Sequence, residues 1–145
     1  MINIKKPKKS LGQNFLIDKN IINKIIKIGN IGKNSTILEI GPGYGSLTKK
    51  ITEIKPKKLI AIEKDKKISL HLTEIFKNYK NVKIINEDIM NLIKDKPIGK
   101  NIIVFGNLPY NISTQILANL LLLDKWPPWY KKLILMFQKE VAERI

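Results

Sequence analysis

The stretch Glu39-Ile-Gly41-Pro-Gly43-Tyr-Gly45 constrains this chain most. The apolar run 36–40 precedes it and a helical segment, 46–54, follows. Glycine lets a backbone turn sharply and lets a ligand approach it closely. An ordinary strand-to-helix turn needs one glycine, not three. The same alternation continues along the chain. Further strands are expected at 59–62, 82–85, 101–105 and 133–137. Helices are expected at 20–28 behind an Asp18 cap, from the cap Asp65 to about residue 77, at 113–123, and from residue 140 onward. On the first helix, Ile21, Ile22, Ile25, Ile26 and Ile28 form one broad apolar face. After the third strand a segment that turns from polar to apolar runs to residue 96, and Pro97 and Gly99 mark a turn. Apolar strands alternating with helices mean βαβ units, hence an α/β fold with a parallel sheet covered on both faces. No internal repeat or low-complexity linker interrupts it.

Composition narrows the function. At 145 residues the chain is one domain or less, and 43% hydrophobic residues supply a core. Zero Cys excludes a disulfide scaffold and any thiolate metal site. A single His, His71, excludes a multi-histidine metal centre and weighs against a Ser-His-Asp triad. The longest apolar run, near 116–123, is too short to cross a membrane. Residues 1–9 are basic, but no apolar core and cleavage site follow, so no secretory signal is read. The net charge of +15 points to a polyanionic partner. That inference needs a discount, because every basic residue but Arg144 is lysine. Lysine, isoleucine and asparagine share A/T-rich codons, and a chain selected for phosphate recognition alone would use more arginine.

Four constellations carry chemistry. Gly41, Gly43 and Gly45 follow the spacing G-x-G-x-G rather than the G-x-G-x-x-G of dinucleotide enzymes, and so look like the turn of an S-adenosylmethionine methyltransferase. Glu63 ends the second strand, where a carboxylate can accept from both hydroxyls of an adenosine ribose. Beside Lys64 it would otherwise be an ordinary surface residue. Glu87-Asp88 follows the third strand, and Asp88 either accepts from the adenine amine or caps the segment starting at Ile89. Asn107-Leu108-Pro109-Tyr110 follows the fourth strand. As structure alone it is a loop with Tyr110 packed on the core. As chemistry it suits methylation of an aromatic amine, whose nitrogen is conjugated with its ring and is a poor nucleophile. The Asn107 carbonyl and a backbone carbonyl can hold the two amine hydrogens and turn the lone pair toward a methyl donor. Pro109 stiffens the loop and removes a competing donor. Tyr110 offers a ring for a splayed-out base to stack on. Positioning then supplies most of the catalysis, and no strong base is needed.

These motifs, with Gln13-Asn-Phe-Leu16, Asn111-Ile-Ser-Thr114 and Phe137-Gln-Lys-Glu-Val-Ala-Glu-Arg144, resemble the ribosomal RNA adenine dimethylases over essentially the whole chain. Leu11-Gly12 and the last two runs favour the small-subunit branch over the macrolide-resistance methylases of the large subunit. The resemblance implies a Rossmann-like class I S-adenosylmethionine-dependent methyltransferase fold. It divides the chain into an N-terminal lid and helix, 1–35, and a methyltransferase domain, 36–145. This domain is read as truncated before the last strands and the C-terminal helical domain. Asn14 and Leu16 would contact the methionine end of the cofactor, with Gly41 and Gly43 lying against it. Glu63 would hold the ribose and Asp88 the adenine. Asn107, Leu108, Pro109 and Tyr110 would form the catalytic loop, with Asn107 also near the cofactor. The product would be S-adenosylhomocysteine, the partner small-subunit ribosomal RNA in a pre-30S particle, and the protein a cytoplasmic monomer using no metal. The alternative is a non-catalytic ribosome-assembly or RNA-binding factor on the same fold. A DNA adenine methylase has a similar four-residue site with different flanks, and a dehydrogenase fits least.

Overall fold

Short runs of isoleucine, leucine and valine favour pleated, extended backbone, and five of them pair here into one sheet. The computed structural model of the chain describes residues 14–95 and 97–145. Expectations for residues 1–13 and Lys96 therefore lie outside the described residues. These include the basic segment 1–9, Leu11-Gly12 and Gln13, and much of the 1–35 lid. In chain order the elements are α1 (Lys19–Gly29), β1 (Thr36–Ile40), α2 (Ser46–Glu53), β2 (Lys58–Glu63), α3 (Lys66–Phe76), β3 (Val82–Asn86), α4 (Ile89–Asp95), β4 (Ile102–Asn107), α5 (Ser113–Leu121), β5 (Tyr130–Met136) and α6 (Lys139–Ala142). The strand order is β3-β2-β1-β4-β5, and every pairing is parallel.

Successive side chains of a strand point to opposite faces, and the core divides accordingly. Ile37, Leu59, Ile103 and Phe105 face α1 and α2, packing on Ile22, Ile25, Leu47 and Ile51. Leu38, Ile40, Ile60, Ile62, Ile102 and Val104 face the other way, onto Ile89 and Ile93 of α4 and Ile116 and Leu120 of α5. The central strands are thus apolar on both sides, as a doubly covered parallel sheet requires.

Three departures from expectation have physical causes. Ile21 and Ile28 of α1 are exposed, so the buried stripe is the narrower Ile22–Ile25 side. The polar-to-apolar segment after β3 forms a helix, α4, because Asp88 Oδ1 accepts the Met90 amide at 3.0 Å and caps it. β5 starts at Tyr130, three residues before the expected Leu133. Lys131 and Lys132 break its apolar pattern, but β5 is an edge strand that tolerates them. Lys132 Nζ also donates to the carbonyls of Gly29 (3.2 Å) and Ile28 (3.4 Å), where cationic charge satisfies the C-terminus of α1.

The fit of α1 on the sheet yields a test. A Cβ at Gly29 would stand 2.5 Å from Cζ of the fully buried Phe105. Gly29→Ala should therefore destabilise by about 1–3 kcal/mol through overpacking. Helix propensity alone would give up to about 1 kcal/mol in the opposite direction. Urea unfolding distinguishes the two, and a raised midpoint would mean that α1 does not rest on Phe105.

Candidate active site

In an open parallel sheet a ligand sits beyond the carboxyl ends of the strands, where the strand order reverses. Here that point lies between the paired strands β1 and β4, from which the chain order runs to opposite edges of the sheet, β2 and β3 on one side and β5 on the other. The turn leaving β1 has all three glycines left-handed, at φ 67° for Gly41, 56° for Gly43 and 85° for Gly45. A Cβ on Gly41 would lie 3.2 Å from the Asn107 backbone oxygen, and one on Gly43 would lie 2.9 Å from the Phe15 ring. The turn thus rests against both the end of β4 and the N-terminal segment. Glu63 holds its other side. Its Oε2 accepts the Gly43 amide at 3.3 Å and its Oε1 accepts the Asp65 amide at 2.8 Å.

A cleft open to solvent occupies this point. Asn14, Leu16, Gly41, Gly43, Glu63, Asn107 and Pro109, all expected site residues, line it. Asn107 is oriented from across the chain: its Nδ2 donates to the Asn14 carbonyl at 2.5 Å. That bond uses the amide's donor end, so the side-chain oxygen is the acceptor this residue can offer a ligand. Three expected site residues are not on the cleft wall. Leu108 is buried in the core and supports the loop from beneath. Tyr110 is 41% exposed. Asp88 lies behind Lys64, with Oδ2 in a 2.7 Å ion pair to Lys64 Nζ while Oδ1 caps α4.

The cleft also contains residues that motif reasoning did not assign. Phe15, Lys64, Asn111 and Ile112 contribute to the wall, as does Glu39. Glu39 was visible two positions before the first glycine, but an acidic residue in an apolar strand says nothing of which face it takes. In the structure it is 1% exposed. Burial pushes its pKa up to about 7; nearby Thr48 lowers it and the Glu63 charge adds to the rise. Although Thr48 lies close, neither Thr48 Oγ1 nor Glu39 Oε2 has a partner at hydrogen-bond geometry. Burial likewise raises the pKa of Glu63, against the amides of Asp65 and Gly43 that favour its charged form. For Asp88, burial pushes upward but the Lys64 ammonium and the Met90 amide outweigh it, so its pKa is lowered. Among the described residues no three His, Asp or Glu side chains gather as a metal site.

Similarity to known proteins follows the same outline. A family model for ribosomal RNA adenine dimethylase matches residues 4–145. The ribosomal RNA small subunit methyltransferase A of Pelagibacter ubique (strain HTCC1062) is 50% identical over 140 residues, which is 97% of this chain and 52% of that relative. A crystal structure of a dimethyladenosine transferase from Plasmodium falciparum matches with TM-score 0.73 and 32% identity, covering 90% of this chain and 46% of that one. The crystal structure of the 23S rRNA methyltransferase ErmE matches with TM-score 0.76 and 25% identity, covering 90% of this chain and 50% of that one. The chain spans about half the length of these relatives.

Glu39 makes stability depend on pH. Its folded-state pKa stands above that of an unfolded carboxyl, so its contribution is full below the unfolded value and is lost as pH rises through about 7. The ligand-free protein should lose this stability between about pH 4.5 and about pH 7. Glu39→Gln, which never ionises, should lose less over that range. Urea midpoints across pH provide the comparison. Parallel curves for the two proteins would show that Glu39 ionises normally.

Proposed function

The chain belongs to the ribosomal RNA adenine dimethylase family, and from that membership and its cleft we propose that it transfers methyl groups from S-adenosylmethionine to the exocyclic amine of adenines in small-subunit ribosomal RNA during ribosome biogenesis. The reading includes a pre-30S particle as partner, S-adenosylhomocysteine as product, a monomeric protein and a cytoplasmic location. It also includes a division into an N-terminal lid and helix, 1–35, and a methyltransferase domain, 36–145. A small-subunit substrate is preferred because the relative named for that subunit is 50% identical and the one named for 23S rRNA is 25% identical. No helix among the described residues is long and apolar enough to cross a membrane.

The donor set fits the cofactor. Glu63 is a buried acceptor at the end of β2, suited to ribose hydroxyls, and its present partners are backbone amides. Gly41 and Gly43 leave the turn bare where a side chain would fill the space. Asn14 and Leu16 close the opposite wall, where the methionine end would lie. Asp88 would accept the adenine amine while keeping its pair with Lys64, since a carboxylate has lone pairs for both. S-adenosylmethionine, when bound, supplies an electrophilic methyl group on a sulfonium sulfur.

The observation that carries the proposal is the bond from Asn107 to the Asn14 carbonyl. It fixes the amide plane of the catalytic asparagine by a residue 93 positions away, so the acceptor oxygen is oriented before a base arrives. That oxygen holds one hydrogen of the target amine, and a backbone carbonyl of the loop holds the other. Held in this way the nitrogen lone pair would turn out of conjugation toward the methyl group that S-adenosylmethionine would supply, and the proton the amine loses on transfer would pass to solvent. Pro109 keeps the loop rigid, Leu108 anchors it in the core, and the exposed Tyr110 ring receives the flipped base.

Two measurements test this in the full-length protein. Glu63→Ala should weaken cofactor binding by calorimetry roughly 10–100-fold, since hydrogen bonds to a charged group contribute ~1.5–3 kcal/mol. RNA binding should change little, and unchanged cofactor affinity would remove Glu63 from the site. Asn107→Ala should slow methyl transfer by about 10²–10³-fold, as loss of other positioned catalytic hydrogen bonds does. Tyr110→Ala should weaken base capture and spare cofactor affinity, while Tyr110→Phe keeps most activity. Methylated adenine is quantified after nuclease digestion of small-subunit particles. Parental rates in both alanine variants would make the loop structural and favour a non-catalytic assembly factor.

A further inference from the structure

Glu39 stands on β1 between β2 and β4, opposite Ala61 and Phe105, both fully buried. It lines the cleft, yet its side chain is almost wholly removed from water and its Oε2 has no hydrogen-bond partner. A carboxylate in such a place is unfavourable unless it is neutral or faces a cation. Of the described residues on the cleft wall, only Glu63 and Lys64 are titratable besides Glu39. α2 presents Leu47 to the cleft and Thr48 near Glu39. β4 presents Asn107, and the N-terminal segment presents Asn14, Phe15 and Leu16, none of them charged. Lys64 is committed to Asp88 at 2.7 Å. The cleft therefore holds two carboxyls, and its single ammonium is ion-paired to Asp88, behind the wall.

Resting on the cofactor reading above, we propose that Glu39 is a proton-linked counterion for the cationic end of the ligand, holding a proton in the free protein and releasing it when the cation enters. Proton balance is simple. The neutral carboxyl loses its proton to solvent, and the carboxylate left behind faces the sulfonium or the α-ammonium. The upward shift of Glu39 toward neutrality, driven by burial, keeps the free form protonated below about pH 7. Binding therefore becomes tighter as pH rises toward 7. Glu39 acts here as a binding and positioning group and touches no bond that is made or broken.

Titration calorimetry at about pH 6, repeated in buffers of different ionisation enthalpy, counts the protons released. The probes are S-adenosylmethionine and S-adenosylhomocysteine. More than half a proton should leave per ligand bound, and release should vanish near pH 8, where Glu39 is already ionised and the ligand's α-amine takes a proton up if anything. Release with both probes assigns the α-ammonium as partner, and release with the sulfonium alone assigns the sulfur. Glu39→Gln should bind without release at about pH 6, with weaker affinity that stays flat from about pH 5 to pH 7. Glu63→Gln should bind weakly yet still release the proton. Infrared difference spectra of the unsubstituted protein give a second readout. A protonated-carboxyl band should be present at about pH 6 and should disappear on ligand binding. Binding without proton release, or release that persists in Glu39→Gln, overturns the inference and leaves the cofactor reading standing. Failure of either probe to bind overturns both.

Discussion

The Glu63 carboxylate ties together the two βα turns that border the cleft. One oxygen takes the Gly43 amide from the turn after β1, and the other takes the Asp65 amide from the turn after β2. The left-handed glycines supply the conformation, and Glu63 supplies the acceptor for it. Because Glu63 is buried, its negative charge is poorly solvated and is held by those same donors. A ligand with hydroxyls to offer would meet an acceptor already fixed in place, which is the arrangement that lowers the entropic cost of binding.

The second constraint closes the cleft from the other side. Asn107 ends β4, and its amide is fixed by the carbonyl of Asn14, which precedes α1. α1 in turn rests on the sheet through Ile22 and Ile25, with Gly29 against Phe105. The path from the N-terminal segment to the Asn107–Tyr110 loop therefore runs through packed core and one hydrogen bond. Core substitutions under α1 would be felt at Asn107 even though none of those side chains reaches the cleft.

Much of this was legible in the residues themselves. The three glycines, the strand-end Glu63 and the Asn107–Tyr110 loop follow strands directly, so their convergence required only a parallel sheet. Strand periodicity and helix caps at Asp18 and Asp65 made that sheet visible, and both caps are formed. What was not legible depends on which face a side chain takes. Glu39 is invisible as a buried acid until β1 is flanked by β2 and β4. Glu63 beside Lys64 also had an ordinary surface reading, but it is buried, and Lys64 reaches Asp88. Ile21 and Ile28 have the same side chain as Ile22 and Ile25 and differ only in angle around α1. The early start of β5 was hidden because Lys131 and Lys132 break the apolar run; the Lys132 backbone pairs with β4 while its side chain reaches the end of α1.

The central claim is that the strand-end cleft, held by Glu63 and Asn107, is the cofactor site. Amide chemical-shift mapping of isotopically labelled protein during titration with S-adenosylhomocysteine tests it most directly. The account predicts the largest shifts at Gly41, Gly43, Asp65 and Asn107, with the groove of Ile17, Lys19, Lys49 and Glu53 between α1 and α2 unmoved. Shifts confined to that groove, or saturation without change at Gly43 and Asn107, would contradict it.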